Sequence, residues 1–384
     1  MSTDTKEIID LFAKEEYGIV PDGWASSVDW KEELEIDGVR GRKAEISLSY
    51  EGRHTSFPFV LWLPADTSKP VPCFLHILCW SKEADPNGSS SPTMSPEMRK
   101  SYMKMLKKLF ENDLHFLIFA RDMAGGSRPI YVNFEKDLYD GHWPVKKITD
   151  AGYATAGFYI RDLMPDGEDC MKKGIRYLLY SEDQSDLPDT APGAIACWAF
   201  GAMRVMDALA ECTEIDKNKV YTAGHSRAGK AAMWTAACDD RIAGALINNS
   251  GCCGAAMNKG KKGERYSTML TMMPMWFAPS FAKYKDTEPG DMPFDQDQLL
   301  ASLAPKKVLV TSGNRDYWSD PEAEFKSVMS AKAAWTACGC KVLSLDRYPK
   351  KQTADLDGDL GYALRKGPHD MTEWDWKQAI RFFG

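Results

Sequence analysis

Ser226 follows a short apolar strand at 219–223 and precedes a helix-forming run at 228–238. A serine in a tight turn between a strand and a helix is typical of a nucleophile elbow, whose strained backbone requires small flanking residues. Gly224 and Ala228, two positions to either side, meet that requirement. The motif therefore predicts a nucleophilic serine. The strict Gly-x-Ser-x-Gly pattern is missed by one methyl group, and an ordinary tight turn is the alternative interpretation.

The rest of the chain alternates strands with helices, which predicts a mainly parallel sheet covered by helices on both faces. An antiparallel hairpin, at 43–50 and 55–63, comes before the alternation. The predicted strands lie at 73–78, 115–120, 219–223, 245–248, 308–312 and 341–345, and the predicted helices at 97–112, 196–211, 228–238, 322–337 and 372–383. This order indicates an α/β-hydrolase fold, a three-layer αβα sandwich with an antiparallel N-terminal hairpin.

Two stretches do not fit the alternation. Residues 121–169 are rich in Gly, Pro and Asp, and residues 252–297 are rich in Met and Trp. Open α/β sheets carry their active sites at the carboxyl ends of the strands, so we expect both stretches to be insertions that shape a cleft there. No internal repeat or low-complexity linker divides the chain, and residues 1–384 are predicted to form a single domain.

The charge balance argues against several classes of partner. The chain has 384 residues, with 48 Lys and Arg against 55 Asp and Glu, and a net charge of −7. An acidic chain of this kind is not expected to bind nucleic acid or an anionic membrane surface. No apolar run reaches the length of about 18 residues that a membrane-spanning helix needs.

The N-terminal residues lack the basic and apolar regions of a secretory signal, which predicts a cytoplasmic location for the chain as written. A signal removed from a precursor would instead indicate secretion or the periplasm. The ten cysteines have neither the spacing of a four-ligand zinc site nor that of a thioredoxin-type pair. We therefore expect no metal and no cofactor. The sequence leaves the oligomeric state undetermined.

A nucleophilic serine needs a base, and the chain has six histidines. His369 lies after the last predicted strand and just before the terminal helix, where the hydrolase order of serine, acid and histidine places the base. The other five are expected in strands, in polar surface turns or pointing away from the elbow: His54, His76, His115, His142 and His225. For His142, a position bordering the pocket is the alternative. His369 is therefore the predicted base.

The third member of a triad is a carboxylate that orients the histidine, and it belongs on a loop after a strand that neighbours the histidine loop. Asp316 fits because it follows the predicted strand at 308–312 and lies between the serine and the histidine in the chain. Asp320 is the reserve assignment. Its alternative interpretation is the N-cap region of the helix at 322–337.

Arg227 and Lys230 lie in the first turn of the helix after the serine, where the helix dipole disfavours positive charge by roughly 0.3–1 kcal/mol each. Such a local cost suggests a function. The backbone N–H of Arg227 is placed to donate to an oxyanion, and its guanidinium would reinforce that stabilisation. Lys230 would then reach substrate hydroxyls. Two solvated surface cations are the alternative interpretation.

Four segments together resemble carbohydrate esterase family 15, the glucuronoyl esterases. They are GHSRAGK at 224–230, NSGC at 249–252, DYWSDP at 316–321 and GPHD at 367–370. The first is the most specific, because Ser-Arg-x-Gly-Lys is unusual among hydrolase elbows. The resemblance spans roughly residues 191–384, with a weaker likeness at 11–21.

The resemblance implies a metal-free enzyme that uses a serine, a histidine and an acid to hydrolyse the ester between 4-O-methyl-glucuronic acid on xylan and lignin alcohols. Carried to this chain, it implies Ser226 as the nucleophile, His369 as the base and Arg227 as the oxyanion stabiliser. It also implies Lys230 and Trp318 as contacts to the uronate ring.

One position departs from the family pattern. Many members carry a catalytic Glu just before the Ser-Gly that follows the sixth strand of the fold, and the matching residue here is Asn249. A neutral amide cannot stabilise an imidazolium by charge, so the acid must come from elsewhere. Some bacterial members have a carboxylate after the seventh strand, and Asp316, two residues before Trp318, matches it.

The sequence therefore predicts a serine carboxylesterase that acts on glucuronate esters of plant cell-wall carbohydrate. One alternative is another carbohydrate esterase, such as an acetyl xylan esterase, on the same scaffold. The other is a non-catalytic carbohydrate-binding relative, in which Asn249 marks the loss of the triad. Relative rates on glucuronate and acetyl esters separate the two esterases, and an absence of turnover would favour the binding protein.

Overall fold

The computed structural model describes residues 3–81, 131–132, 137–165, 173–180 and 187–384. The predicted helix at 97–112 and the predicted strand at 115–120, with His115, lie outside these ranges. Within them, no helix is both long enough and apolar enough to cross a membrane.

Ten of the strands form one large sheet. Numbered along the chain, the strands are β1 Ala25–Ile36, β2 Val39–Tyr50, β3 Arg53–Leu63, β4 Val71–Leu78, β5 Trp80–Ser81, β6 Tyr131–Val132, β7 Ala154–Tyr159, β8 Ile215–His225, β9 Ile242–Asn248, β10 Lys307–Gly313, β11 Thr353–Asp355 and β12 Leu360–Arg365. The large sheet has the order β1-β2-β3-β7-β4-β8-β9-β10-β12-β11, and β5 pairs with β6 separately. Its six strands from β7 to β12 in this order run parallel.

Helices cover both faces of this sheet. The described α-helices are α1 Thr3–Phe12, α2 Val145–Asp150, α3 Ile160–Leu163, α4 Ile175–Tyr180, α5 Ala194–Glu211, α6 Arg227–Cys238, α7 Tyr266–Met272, α8 Gln296–Ala301, α9 Pro321–Ala337 and α10 Glu373–Phe383. Alternate side chains of β4 enter two separate cores: Leu75 and Ile77 join residues of α5, α6 and α9, whereas Phe74 and Leu78 join residues of α2 and α10. The predicted three-layer αβα architecture is therefore confirmed.

The predicted N-terminal hairpin is confirmed as β2 and β3, which pair antiparallel from Arg40 with Leu63 to Tyr50 with Arg53. A further strand that the sequence did not predict, β1, pairs antiparallel with β2. The side chains of β1 are all half-buried or exposed, because it is the edge strand of the sheet. Such a strand lacks the strong apolar alternation on which strand prediction depends.

The predicted strand at 341–345 is wrong. There, Val342 makes a single isolated bridge to Leu360. The strand beside β10 is instead β12, which runs parallel to it with Val308 opposite Leu360. Gly361 of β12 packs against α10 so closely that a Cβ at this position would lie 2.7 Å from the Phe382 ring. A strand that requires glycine at one position lacks the continuous run of bulky apolar residues that is typical of a buried strand.

The stretch 121–169, expected to be an insertion, contains a central strand of the sheet. This strand, β7, lies between β3 and β4, and all six of its side chains are buried. Its first four residues are small, and Trp143 packs directly on the fourth: a Cβ at Gly157 would lie 2.5 Å from the Trp143 ring. The expectation is therefore wrong for residues 154–159.

An aromatic cluster joins the sheet to α10. The ring of Phe74, which is fully buried on β4, lies 4.9 Å from Tyr153, 5.5 Å from Trp376 and 5.5 Å from Phe383, measured between ring centres. The two rings of α10 meet Phe74 edge to face, an arrangement that adds to the stabilisation from burial. Because α10 follows the His369 loop directly, this cluster anchors one end of that loop.

Replacing Phe74 by Ala is expected to lower the free energy of unfolding by about 3–5 kcal/mol, since a fully buried ring would leave a cavity. Denaturant titration followed by circular dichroism would measure the loss. The matched control is Ile19→Ala, at a side chain that is 48% exposed, where a change within about 0.5 kcal/mol is expected. Equal effects of the two substitutions would contradict the proposed anchor.

Candidate active site

Ser226 stands between the last residue of β8 and the first residue of α6, and it is half-buried. Its backbone has φ 57° and ψ −125°, a conformation that costs on the order of 1–3 kcal/mol for a residue other than glycine. Gly224 is required nearby, because a Cβ there would lie 2.2 Å from the carbonyl oxygen of Ala228. The N–H of Ser226 donates to the carbonyl of Asn248 over 2.9 Å. The turn therefore has the strained geometry expected of an elbow.

His369 and Asp316 come from the loops after two neighbouring strands, β12 and β10. His369 Nδ1 donates to Asp316 Oδ2 over 2.6 Å, which makes Nε2 the basic nitrogen of the ring. The His369 ring centre also lies 4.5 Å from that of His225, the residue just before Ser226. The structure therefore brings the predicted serine, base and acid to the same edge of the sheet.

The Asp316 carboxylate is completely buried and strongly hydrogen-bonded. Besides His369, its donors are Asn249 Nδ2 at 2.5 Å and the backbone N–H of Ser319 at 3.2 Å. Burial raises the pKa of this carboxyl, but the nearby His369 charge and these donors outweigh it and hold the pKa of Asp316 below its usual value. Burial lowers the pKa of His369, and the Asp316 carboxylate more than offsets this, so the pKa of His369 is raised.

Asn249 supports the carboxylate of Asp316. Its backbone has φ 44°, in the left-handed region, and its N–H donates to the carbonyl of Thr311 on β10 over 2.8 Å. These constraints direct its side-chain amide at Asp316. An amide supplies a hydrogen-bond donor to the buried carboxylate, whereas an ionised Glu at this position would supply a second negative charge.

Asp320, the reserve assignment for the acid, is the N-cap of α9. Its Oδ1 accepts from the N–H of Ala323 over 3.2 Å, and its Oδ2 accepts from the N–H of Lys262 over 2.6 Å. Both oxygens are therefore engaged by backbone donors. This geometry favours the capping interpretation and leaves Asp316 as the partner of His369.

Arg227 begins α6 next to the serine and is half-buried. Its guanidinium carbon lies 4.7 Å from the ring centre of Trp276, within the range of a cation–π interaction. Trp276 ends the 3₁₀ turn Pro274–Trp276. This contact brings the Met-rich and Trp-rich stretch 252–297 to the elbow and fixes the direction of the guanidinium.

Lys230 is only 2% exposed, so the alternative interpretation of a solvated surface cation is wrong for it. Its Nζ donates to the carbonyls of Ser250 and Cys252, each over 2.5 Å, and lies 3.6 Å from Glu264 Oε1. The three protons of the ammonium thus face protein acceptors. Direct contact with a sugar ring, which remains a prediction, would require one of these acceptors to be exchanged.

Trp318 is also largely buried, at 7% exposure. Its carbonyl oxygen accepts from the N–H of Glu264 over 2.9 Å and from Lys261 Nζ over 3.3 Å. Trp318 and Lys230 therefore meet the same residue, Glu264, one through its backbone and the other through its side chain. The indole contact with a uronate ring remains a prediction.

Two buried glutamates near the site were missed by sequence reasoning. Glu264 lies in the divergent stretch 252–297, and its charge contributes to raising the pKa of His369. Glu324, on α9, accepts from Ser312 Oγ over 2.5 Å and from the N–H of Gly251 over 2.9 Å. Burial raises the pKa of Glu324 to about 7. The sequence carries no signal for either, because each is identified only by partners far away in the chain.

The other described histidines fall in three environments. His76 is buried in a strand as expected, and burial lowers its pKa to about 3; His225, the last residue of β8, is buried as well. His54 is exposed, also as expected. His142, expected in a surface turn, is instead buried and held between two carboxylates. Among the described side chains, no group of three or more His, Cys, Asp or Glu is arranged to hold a metal ion.

The parallel sheet, the strained serine turn and the Asp316–His369 pair at its edge define an enzyme of the α/β-hydrolase class. A family model described as "Glucuronyl esterase, fungi" matches residues 126–339. The chain belongs to the glucuronoyl esterase family, carbohydrate esterase family 15, and is a carboxylic ester hydrolase. The family resemblance read from the sequence motifs is therefore confirmed.

The relatives are similar to this chain over different fractions of its length. A carbohydrate esterase of an unknown prokaryotic organism is 32% identical, covering 98% of this chain and 82% of its own length. The structure of a glucuronoyl esterase from Solibacter usitatus superposes with a TM-score of 0.80 at 29% identity, covering all of this chain and 92% of its own. A 4-O-methyl-glucuronoyl methylesterase of Hypocrea jecorina is 33% identical, but over only 44% of this chain and 36% of its own length.

Replacing Asp316 by Asn is expected to lower the pKa of His369 below the usual value of about 6.5. The ion pair that raises this pKa would be lost, and the effect of burial, which lowers it, would remain. NMR titration of the His369 ring would measure the change. Asp320→Asn is the matched control, and we expect it to leave the titration of His369 in place. An unchanged His369 pKa in Asp316→Asn would contradict the electrostatic coupling.

Proposed function

We propose that the enzyme hydrolyses esters of glucuronic acid or 4-O-methyl-glucuronic acid, as in the lignin–carbohydrate ester links of glucuronoxylan. Two of the relatives are named for glucuronoyl esters. The observation in this chain that carries the proposal is the buried Asp316–His369 pair beside the strained turn of Ser226. The GHSRAGK elbow adds two cations, Arg227 and Lys230, which are suited to an anionic transition state and to a polar uronic acid.

In this mechanism Ser226 attacks the uronoyl carbonyl, and His369 Nε2 takes the proton of the serine hydroxyl. The same proton passes to the leaving alcohol, which gives an acyl-enzyme between Ser226 and the uronic acid. Water then attacks the acyl-enzyme with His369 as base, and the uronic acid is released. Asp316 stabilises the imidazolium in both halves, because its buried carboxylate is bonded to His369 Nδ1.

Arg227 holds the negative charge that develops on the carbonyl oxygen. Its backbone N–H is the first of α6, so it points toward the elbow from the positive end of the helix dipole. The guanidinium is held by the ring of Trp276, which reduces the reorganisation needed when the charge forms. This preorganisation favours the transition state over the neutral ester.

Recognition of the sugar is assigned to the group around Glu264. Its carboxylate can accept from a sugar hydroxyl, with Lys230 behind it to hold its charge and position. Trp318, joined to Glu264 through the backbone, offers a ring edge to the uronate. A pocket for an acetyl group has little use for this set of side chains, which favours the uronoyl ester over the acetyl ester.

The deciding experiment compares hydrolysis of benzyl glucuronate with that of a simple acetyl ester. We expect wild type to favour the glucuronate strongly and Ser226→Ala to lose the activity. Preference for acetate would keep the serine mechanism but replace the proposed substrate with that of an acetyl xylan esterase. Turnover that survives Ser226→Ala would overturn the mechanism, and no turnover on either ester would overturn the substrate assignment.

The role of the acid is tested with a pair of isosteric variants. Asp316→Asn should lower kcat on the order of 10⁴-fold, as expected when the group that orients and stabilises a triad histidine loses its charge. Asp320→Asn should reduce kcat less than about tenfold, because it alters a helix cap and a bond to the N–H of Lys262, neither of which involves His369. A large loss in Asp320→Asn with a small loss in Asp316→Asn would reverse the assignment.

A further inference from the structure

His142 lies between two carboxylates at the edge of the candidate active site. Its Nε2 is 2.7 Å from Asp370 Oδ1, and its Nδ1 is 3.1 Å from Asp140 Oδ1. Its carbonyl oxygen accepts from Trp376 Nε1 of α10 over 2.7 Å. Only 8% of His142 is exposed, whereas the side chain of Asp370 is 33% exposed, so the contact between them lies at the border of the protein interior.

The contact with Asp370 matters because Asp370 follows His369 directly. The short loop after β12 that carries both residues is held by several further contacts. Arg365 donates to the carbonyls of Pro368 and Asp370 over 2.9 and 2.6 Å, and the N–H of Gly367 donates to a side-chain oxygen over 2.9 Å. The N–H of Arg315 also donates to the carbonyl of Gly367 over 2.9 Å, and all of these contacts reach the loop backbone. The bond from His142 holds the Asp370 side chain instead, from a position 228 residues away in the chain.

The surroundings of His142 favour a charged ring. Burial lowers its pKa, but hydrogen bonds and charge from Asp140 and Asp370 outweigh this and raise the pKa of His142 to about 9. The other titratable groups that face it are neutral histidines, His76 of β4 and His225 of β8, whose pKa values burial lowers. Arg365 lies on the far side of Asp370 and bonds its carbonyl.

We propose that His142 is a positioning residue, which in its protonated form ties Asp370 and so holds the His369 loop in its working geometry. The inference rests on the proposed function, in which His369 is the base. Loss of the His142 proton leaves one of its two carboxylates without a donor from the ring, because a neutral imidazole has a single N–H. Asp140 also accepts from the backbone N–H of His142 over 2.8 Å, a bond that does not titrate. The loop then loses the contact from Asp370 or shares it with Asp140.

The direction of the pH effect follows from the raised pKa. His142 stabilises the loop fully below the pKa of an unfolded histidine, about 6.5, and this contribution falls as pH rises through the folded pKa of about 9. The His369 loop should therefore be held firmly at pH 7 and loosely at pH 10. A group that cannot titrate at position 142 would remove this dependence.

The test uses His142→Gln, whose amide can still donate toward Asp370 but carries no charge. We expect the ratio of wild-type to variant kcat/KM to be several-fold above one at pH 7 and to fall toward one by pH 10, with a midpoint near pH 9. In the Asp140→Asn variant, the midpoint of the alkaline fall in kcat/KM should lie at lower pH than in wild type. One of the two charges that raise the pKa of His142 would be lost. The matched control, His54→Gln at an exposed histidine, should keep a ratio near one throughout.

A second readout does not depend on turnover. Amide hydrogen exchange of residues 366–371, expressed as protection factors, should fall about tenfold between pH 7 and pH 10 in wild type and stay level in His142→Gln. A kinetic ratio that is flat with pH, or equal pH dependence of protection in both proteins, would overturn the proposal. If neither ester is hydrolysed, the proposed function fails, and the exchange measurement still decides whether His142 holds the loop.

Discussion

The buried carboxylate of Asp316 accepts hydrogen bonds from Asn249, Ser319 and His369, which belong to three loops. A charge removed from water is tolerated only when it is paired and hydrogen-bonded, so all three donors must be in place together. This is possible because β9, β10 and β12 are neighbours in the sheet and run parallel, which brings their carboxyl ends to one edge. The geometry of the site is thus tied to the order of the strands.

Two buried lysines organise the same edge in a similar way. Lys230 donates to carbonyls of the loop after β9, and Lys261 donates to carbonyls of Trp318 and Ser319 in the acid loop. Each ammonium replaces water with backbone oxygens and so fixes a loop that has no regular hydrogen bonding of its own. Glu264 lies between the two loops and joins them. Such a site reorganises little during reaction, which is what electrostatic catalysis requires.

The strands found from the sequence are those with continuous apolar runs, such as β4 and β10, because bulky apolar residues fill both faces of a covered sheet. Of the strands that were missed, β1 is an edge strand with no buried face, and β7 and β12 are shaped by close packing. In β7 the ring of Trp143 occupies the space beside Gly157, and in β12 the ring of Phe382 occupies the space beside Gly361. A small residue therefore indicates a buried strand only when the large side chain that packs against it is known.

The sequence alone determined the elbow and the order of serine, acid and histidine, because a strained turn and its small flanking residues are local in the chain. It also determined the family, through short motifs that stand at these turns. Only the tertiary structure shows that Asp316, and not Asp320, is bonded to His369, that Lys230 is buried, and that His142 lies against the His369 loop. Each of these depends on partners brought together by the parallel sheet, and the free energy of a buried charge is set by those partners rather than by its neighbours in sequence.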